Sequence, residues 1–255
     1  MTVYQVKNSK KTWIGLLFIV SSFLFALSAH ADPAQKSKWQ ELIDTGTDAY
    51  KRKEYALAER YFTDAVKESQ SGETINNAHL GTSLNNLGLI LEAEGKNNEA
   101  VSTFRRALEA KEQAVGANGI DLVPTLNNLA VLYRQMSDWP QAENCYRQAL
   151  SITEKNNVPN HPSIAVCLNN LAIVLRQERK LTEVESLLKQ ALSILESTYG
   201  KNHPSMAVIL NNLADVYQEE GKIDEARKLY EQSLAIRKAS PGHFYWCLDG
   251  RAKYQ

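Results

Sequence analysis

The stretch "LNNLA" stands at residues 126–130, again at 168–172 and again at 210–214, and a near copy, "LNNLG", stands at 84–88. Each copy begins 42 residues after the one before it. Asparagine is among the poorer helix formers, yet the leucines and small residues around each pair recur at helical spacing. The asparagines must therefore answer to something other than local propensity.

With the leucine of each copy as position 4, the register runs Leu84, Leu126, Leu168, Leu210, and one step back it meets Leu42, the start of a weaker fifth unit. Position 8 is small throughout (Gly46, Gly88, Ala130, Ala172, Ala214), and position 11 is Leu91, Tyr133, Leu175 or Tyr217, with Ala49 in the first unit. Positions 4, 7, 8 and 11 form one face of a helix. Position 20 is Ala58, Ala100, Ala142, Val184, Ala226; position 24 is Phe62, Phe104, Tyr146, Leu188, Tyr230; position 27 is Ala65, Ala107, Ala149, Ala191, Ser233. These make the apolar face of a second helix. Turn residues lie between the two faces (Gly95-Lys96, Ser137-Asp138, Gly221-Lys222), and Pro140 suits a first helical turn. Each unit therefore reads as a helical hairpin whose small residues at positions 8 and 20 let its helices approach closely.

This pattern resembles the tetratricopeptide repeat (TPR). The 42-residue period, the LNNLA core and lead-ins such as "GKNHPSMAV" resemble the kinesin light chain-like subclass; the matching segments include "YGKNHPSMAVILNNLADVYQEEGKIDEARKLYEQSLAIRK" and "VPNHPSIAVCLNNLA". The resemblance covers residues 39–238, with units near 39–80, 81–122, 123–164, 165–206 and 207–238. It is one of repeat type and implies no motor partner. It implies an all-α fold, a right-handed α-solenoid of five hairpins, in which the first helix of each hairpin lines a concave wall. Stacking of this kind buries apolar faces that no unit can bury alone. The first unit carries Asp44 and Asp48 where later units have Asn and an apolar residue, as fits a terminal unit.

At about 100° per residue, position 6 points away from the hairpin's own core. That is the second asparagine of each pair: Asn86, Asn128, Asn170 and Asn212. An amide offers two donors and two acceptors, so a row of them can pair with the backbone of an extended peptide. The resemblance implies the same role, and these four are the predicted peptide-binding residues. A second reading has the asparagines holding the stack together, and position 5 (Asn85, Asn127, Asn169, Asn211) suits that better. Leu89, Val131 and Ile173 at position 9 are candidates for an apolar ligand anchor or for packing between first helices. Arg134 and Arg176 at position 12 are candidates to receive a ligand carboxylate.

The chain has 29 basic and 29 acidic side chains, a balance that argues against a nucleic-acid partner. Residues 1–31 differ in kind: Lys7, Lys10 and Lys11 precede an apolar run from Trp13 to Leu27, then Ala29-His30-Ala31. This is the pattern of a secretory signal cleaved after Ala31; the alternative is an uncleaved membrane anchor, for which the apolar run is short of the roughly 20 residues that span a bilayer. Its loss leaves a net charge of −3. An exported protein, periplasmic or secreted, follows, with residues 32–38 as linker and 239–255 as tail. Of the three cysteines, Cys145 and Cys167 read as small buried fillers, and the odd count, with Cys247, leaves at least one unpaired.

No nucleophile elbow, phosphate loop, dinucleotide fingerprint or zinc-protease motif occurs. His161 and His203 recur in Asn-His-Pro at helix starts, with Asn160 and Asn202 as candidate caps, and stand too far apart for one metal. The sequence therefore predicts no enzyme, cofactor or metal site. It predicts an adaptor binding an extended protein segment in a concave groove. The alternatives are a scaffold that self-associates through its C-terminal end and an accessory subunit of an envelope or secretion complex.

Overall fold

The computed structural model describes residues 36–239 apart from Glu73 and Val158. The predicted signal segment and the C-terminal tail with Cys247 lie outside the described residues. Ten α-helices and no strand occur among those described, in five consecutive hairpins. They are α1 (Lys38–Lys51) with α2 (Tyr55–Ser69), α3 (Asn77–Ala93) with α4 (Asn97–Val115), α5 (Leu122–Gln135) with α6 (Trp139–Asn156), α7 (Pro162–Gln177) with α8 (Leu181–Tyr199), and α9 (Pro204–Glu219) with α10 (Ile223–Ala239).

Every hairpin closes by the same device. The carbonyl at position 11 accepts the N–H of position 16, as in Leu91 with Lys96 at 2.8 Å, and the carbonyl at position 12 accepts that of position 15, as in Glu92 with Gly95 at 3.0 Å. The pair recurs at Ala49/Glu54, Tyr133/Asp138, Leu175/Lys180 and Tyr217/Lys222. This double bond is a Schellman stop, which needs a left-handed residue. Position 15 supplies it each time: Lys53, Gly95, Ser137, Arg179 and Gly221 all have positive φ.

Beyond the turn, the position-24 side chain fills the space above the small residue at position 8. A Cβ on Gly88 would meet Cε1 of Phe104 at 2.7 Å, and one on Gly46 would meet Cε1 of Phe62 at the same distance. Both rings are buried. In later hairpins position 8 is alanine and its partners are Tyr146, Leu188 and Tyr230.

Each second helix packs against the first helix of the next hairpin, and first helices of neighbouring hairpins also meet (α1 with α3, α3 with α5, α7 with α9). Second helices have no comparable contact, so the first helices form the inner, concave wall. A continuous core joins α3 through α10. The first hairpin is pinned to the second by Trp39, which stacks on His79 at 3.8 Å and donates its indole N–H to Ser83 Oγ at 2.8 Å. Gly81 leaves room for the buried stem of Lys111, whose Nζ donates to the Asp121 carbonyl at 3.0 Å. Burial pulls that ammonium's pKa down to about 8.

Two expectations are refined. The caps of α7 and α9 are His161 and His203, whose Nδ1 atoms accept the N–H of Ser163 and Ser205 at 3.3 Å, and not the asparagines before them. A proline at the first helical position forces its predecessor into extended backbone, and that residue becomes the cap. Cys145 and Cys167 are both buried and form no disulfide, and burial pushes the Cys145 thiol up to about 11.

The glycine contact gives a test. Gly88→Ala gains about 1 kcal/mol of helix propensity but forces a ring out of a packed position, at about 1–3 kcal/mol. Thermal melting should show a lower Tm for Gly88→Ala and recovery when Phe104→Leu is added. A higher Tm for the single variant would mean that the ring does not set this approach.

Candidate functional site

The asparagine pairs face the concave wall, and their amides form a ladder between hairpins. Asn128 Nδ2 donates to Asn85 Oδ1 at 3.1 Å, and Asn212 Nδ2 donates to Asn169 Oδ1 at 2.7 Å. Each rung joins position 6 of one hairpin to position 5 of the hairpin before it. The acceptors Asn85 and Asn169 are buried, at 8% and 3% exposure. At Asn85 and Asn169 position 5 thus serves the stack, as the second reading of the sequence supposed. Two of the four position-6 amides spend one N–H on the same task.

The other two do not. Asn86 looks back to Ile43 at position 5 of the first hairpin, which has nothing to accept with. Its half-buried amide makes no side-chain hydrogen bond among the described residues. Asn170 should pair with Asn127, yet this middle rung is open. Asn170 is 4% exposed and the Asn127 Oδ1 atom is buried, and neither side chain has a hydrogen-bond partner among the described residues. The Asn127 Oδ1 atom, buried without a partner, carries a cost of about 1–3 kcal/mol that a ligand N–H would relieve.

The apolar candidates separate. Val131 is buried at 4% exposure and belongs to the core between hairpins, so it is no groove anchor. Leu89 is partly buried against the same core. Ile173 is half-buried on the face of α7 that carries Asn170. One turn before Asn170 on that face stands Val166, 49% exposed. The sequence reading did not single it out, although position 2 falls on the same side of the wheel as position 6.

The arginines are also resolved. Arg176 donates through Nη1 to Asp215 Oδ2 at 2.6 Å and through Nε to Glu219 Oε1 at 2.7 Å. It already holds two carboxylates from its own chain, because position 9 and position 13 of the fifth hairpin are acidic. Arg134 is likewise not a free cation. Neither is placed to receive a ligand carboxylate without giving up a partner. Asp215 also accepts the Tyr230 hydroxyl at 2.5 Å. Burial and that bond push the tyrosine's pKa up to about 12. Among the described residues no three His, Cys, Asp or Glu side chains come together as metal ligands.

Two family models described as tetratricopeptide repeat match the sequence, one over residues 121–197 and 163–239 and the other over 80–121. The chain belongs to the tetratricopeptide-repeat family. Tetratricopeptide-repeat proteins serve in general as non-enzymatic platforms for other proteins. No curated protein matches the sequence. Among solved structures the chain resembles BtubC (BKLC) from P. vanneervenii, with a TM-score of 0.73, 19% identity and 85% of each chain covered. It also resembles the kinesin light chain nearly identical TPR-like repeats of Podosopora anserina, with a TM-score of 0.70, 21% identity, and 82% of this chain and 100% of that one covered. MamA 41-end from Desulfovibrio magneticus RS-1 follows, with a TM-score of 0.59, 11% identity, and 82% and 100% covered. At these identities the likeness is one of fold, and it includes kinesin light chain-like repeats, the subclass that the 42-residue period resembles.

The closed rungs predict a measurable coupling within the repeats. In a double-mutant cycle, Asn212→Ala and Asn169→Ala should show about 1 kcal/mol of interaction in chemical denaturation. The corresponding cycle on Asn170 and Asn127 should show none. Equal coupling at both rungs would mean that the middle one is closed in solution.

Proposed function

We propose that the chain is a protein-binding adaptor whose concave wall takes an extended polypeptide segment, centred on the open rung. The observation that carries this reading is the buried, unpartnered Oδ1 of Asn127 across from the unpaired amide of Asn170, beside exposed Val166 and half-buried Ile173. A peptide backbone supplies an N–H and a C=O at each residue, which is what the two amides lack. An apolar ligand side chain would cover Val166 and Ile173. Asn86 is a second amide not committed to the stack and extends the site towards the first hairpin. Asn128, on α5, lines the path between and Asn212, on α9, extends it beyond Asn170; each keeps a carbonyl oxygen and one N–H. Leu89 borders the Asn86 end, and Arg134 and Arg176 shape the rim without giving up their own partners.

The reading is tested by capturing partners from the source cell with the purified chain, then measuring affinity for the captured segment by calorimetry. Asn170→Ala with Asn86→Ala should weaken binding at least about tenfold, one good hydrogen-bonded contact each, while Tm stays the same or rises. Asn128→Ala should lower both affinity and Tm. Unchanged affinity in the Asn86/Asn170 variant would overturn the groove assignment.

We also infer that the adaptor works outside the cytoplasm, on the basic, apolar and Ala-x-Ala order of residues 1–31. Expression in a secreting host followed by N-terminal sequencing should give a chain beginning at Asp32. A chain retained at full length in the cytosol would refute export.

A further inference from the structure

The outer face of the last hairpin has no partner among the described residues. On α10 the side chains Ile223, Arg227, Glu231 and Leu234 form one exposed helical stripe, bordering a shallow depression of about 430 Å³ whose other wall includes Tyr230, which bonds Asp215, and Gln218 of α9. Ile223 and Leu234 are 60% and 51% exposed. They occupy positions 17 and 28 of the repeat. In earlier hairpins these positions hold side chains that are half-buried, such as Trp139 and Leu181 at position 17 and Leu108, Leu150 and Leu192 at position 28, all packed on the continuous core. At the equivalent site of the first hairpin, Val66 packs on Leu80 and Leu84 of α3. Positions 17 and 28 of α10 therefore repeat the internal inter-hairpin surface, with nothing laid upon them among the described residues.

The opposite end of the stack does not match it. Where later first helices carry Leu87, Leu129 or Leu171 at position 7 and Ile90, Leu132 or Val174 at position 10, α1 carries Thr45 and Asp48, both exposed. Position 3 there is Glu41, also exposed. Head-to-tail stacking would bring Glu41 and Asp48 onto a stripe whose one cation, Arg227, already pairs with Asp224 at 2.9 Å and stands beside the like-charged Glu231, so two carboxylates would be desolvated at a cost of several kcal/mol. A filament is disfavoured.

The stripe is instead complementary to itself. When two α10 helices run antiparallel about a two-fold axis, Ile223 of one copy meets Leu234 of the other at both ends of the contact. In the middle, the exposed Arg227, which also holds Asp224 of its own helix at 2.9 Å, faces the exposed carboxylate of Glu231 of the other copy. Apolar ends and a paired centre are what an isologous interface requires. We propose that α10 is a homodimerisation surface, and that two copies of the chain join through it as a closed two-fold pair. The inference rests on α10 alone and stands whether or not the groove takes peptide.

Sedimentation equilibrium of the full chain over a micromolar concentration series tests it. Expected is a reversible monomer–dimer equilibrium whose dissociation constant rises more than about tenfold in Leu234→Glu, as for loss of an interface anchor. The melting temperature of the dilute monomer should not move, because Leu234 is half exposed there. Arg227→Glu and Glu231→Arg should each weaken the dimer, and the two together should restore it. Three results would overturn the proposal: a monomer at every concentration, a dimer indifferent to Leu234→Glu, or a monomer that dimerises only in Phe244→Ser/Trp246→Ser. The last result would mean that the chain's own C-terminal segment covers the stripe.

Discussion

Close approach of two helices within each hairpin governs the rest of the molecule. A side chain at position 24 can lie over its neighbour only where position 8 is glycine or alanine, and the two vary together: Phe62 and Phe104 stand over glycines, Tyr146, Leu188 and Tyr230 are partnered with alanines. The Schellman turn fixes the return angle, with its left-handed residue at the same position in all five hairpins. Once that angle is set, the apolar face left on each second helix has one place to go, onto the first helix of the following hairpin. First helices then share the inner wall because second helices are interposed on the outside.

The repeated asparagines follow from this geometry. On a first helix, position 5 looks towards the hairpin after and position 6 towards the hairpin before, so an amide at each can give an acceptor and a donor at a junction. Where both are present and aligned, as in Asn128 with Asn85 and Asn212 with Asn169, the junction gains a rung. The first junction has no rung because Ile43 stands at position 5. The middle junction carries both amides and leaves them apart. One residue pattern therefore yields structural amides at some junctions and uncommitted ones at others. A family resemblance assigns the same role to all four and does not see this distinction.

Ion pairs act as secondary straps on the same frame. Lys180 bridges Glu143 of the preceding hairpin at 2.9 Å, and Lys96 bridges Glu59 at 3.4 Å. These pairs are substantially exposed, and each contributes little alone. The Arg176–Asp215–Glu219 group is more enclosed and spans the last junction. It ties the fifth hairpin into the stack from the concave side, while Ile223 and Leu234 of α10 are left exposed.

The sequence alone determined the repeat. A period of 42, with small residues at positions 8 and 20 and a large side chain at 24, admits few arrangements other than stacked hairpins, because apolar spacing of 3 and 4 fixes which face each helix buries. It also settled the class of the chain, since the family matches over 80–239 fall on the same register. The tertiary structure decided which polar side chains are free. Whether Asn170 or Asn128 has a partner, whether Val131 is wall or core, and whether Arg176 awaits a carboxylate or already holds two depend on side chains one hairpin away, some 40 residues distant in sequence. A helical wheel places a residue on a face of its own helix. Only the packing of the next helix sets what lies opposite that face, and in a solenoid the neighbour across the junction decides whether a given amide is structure or site.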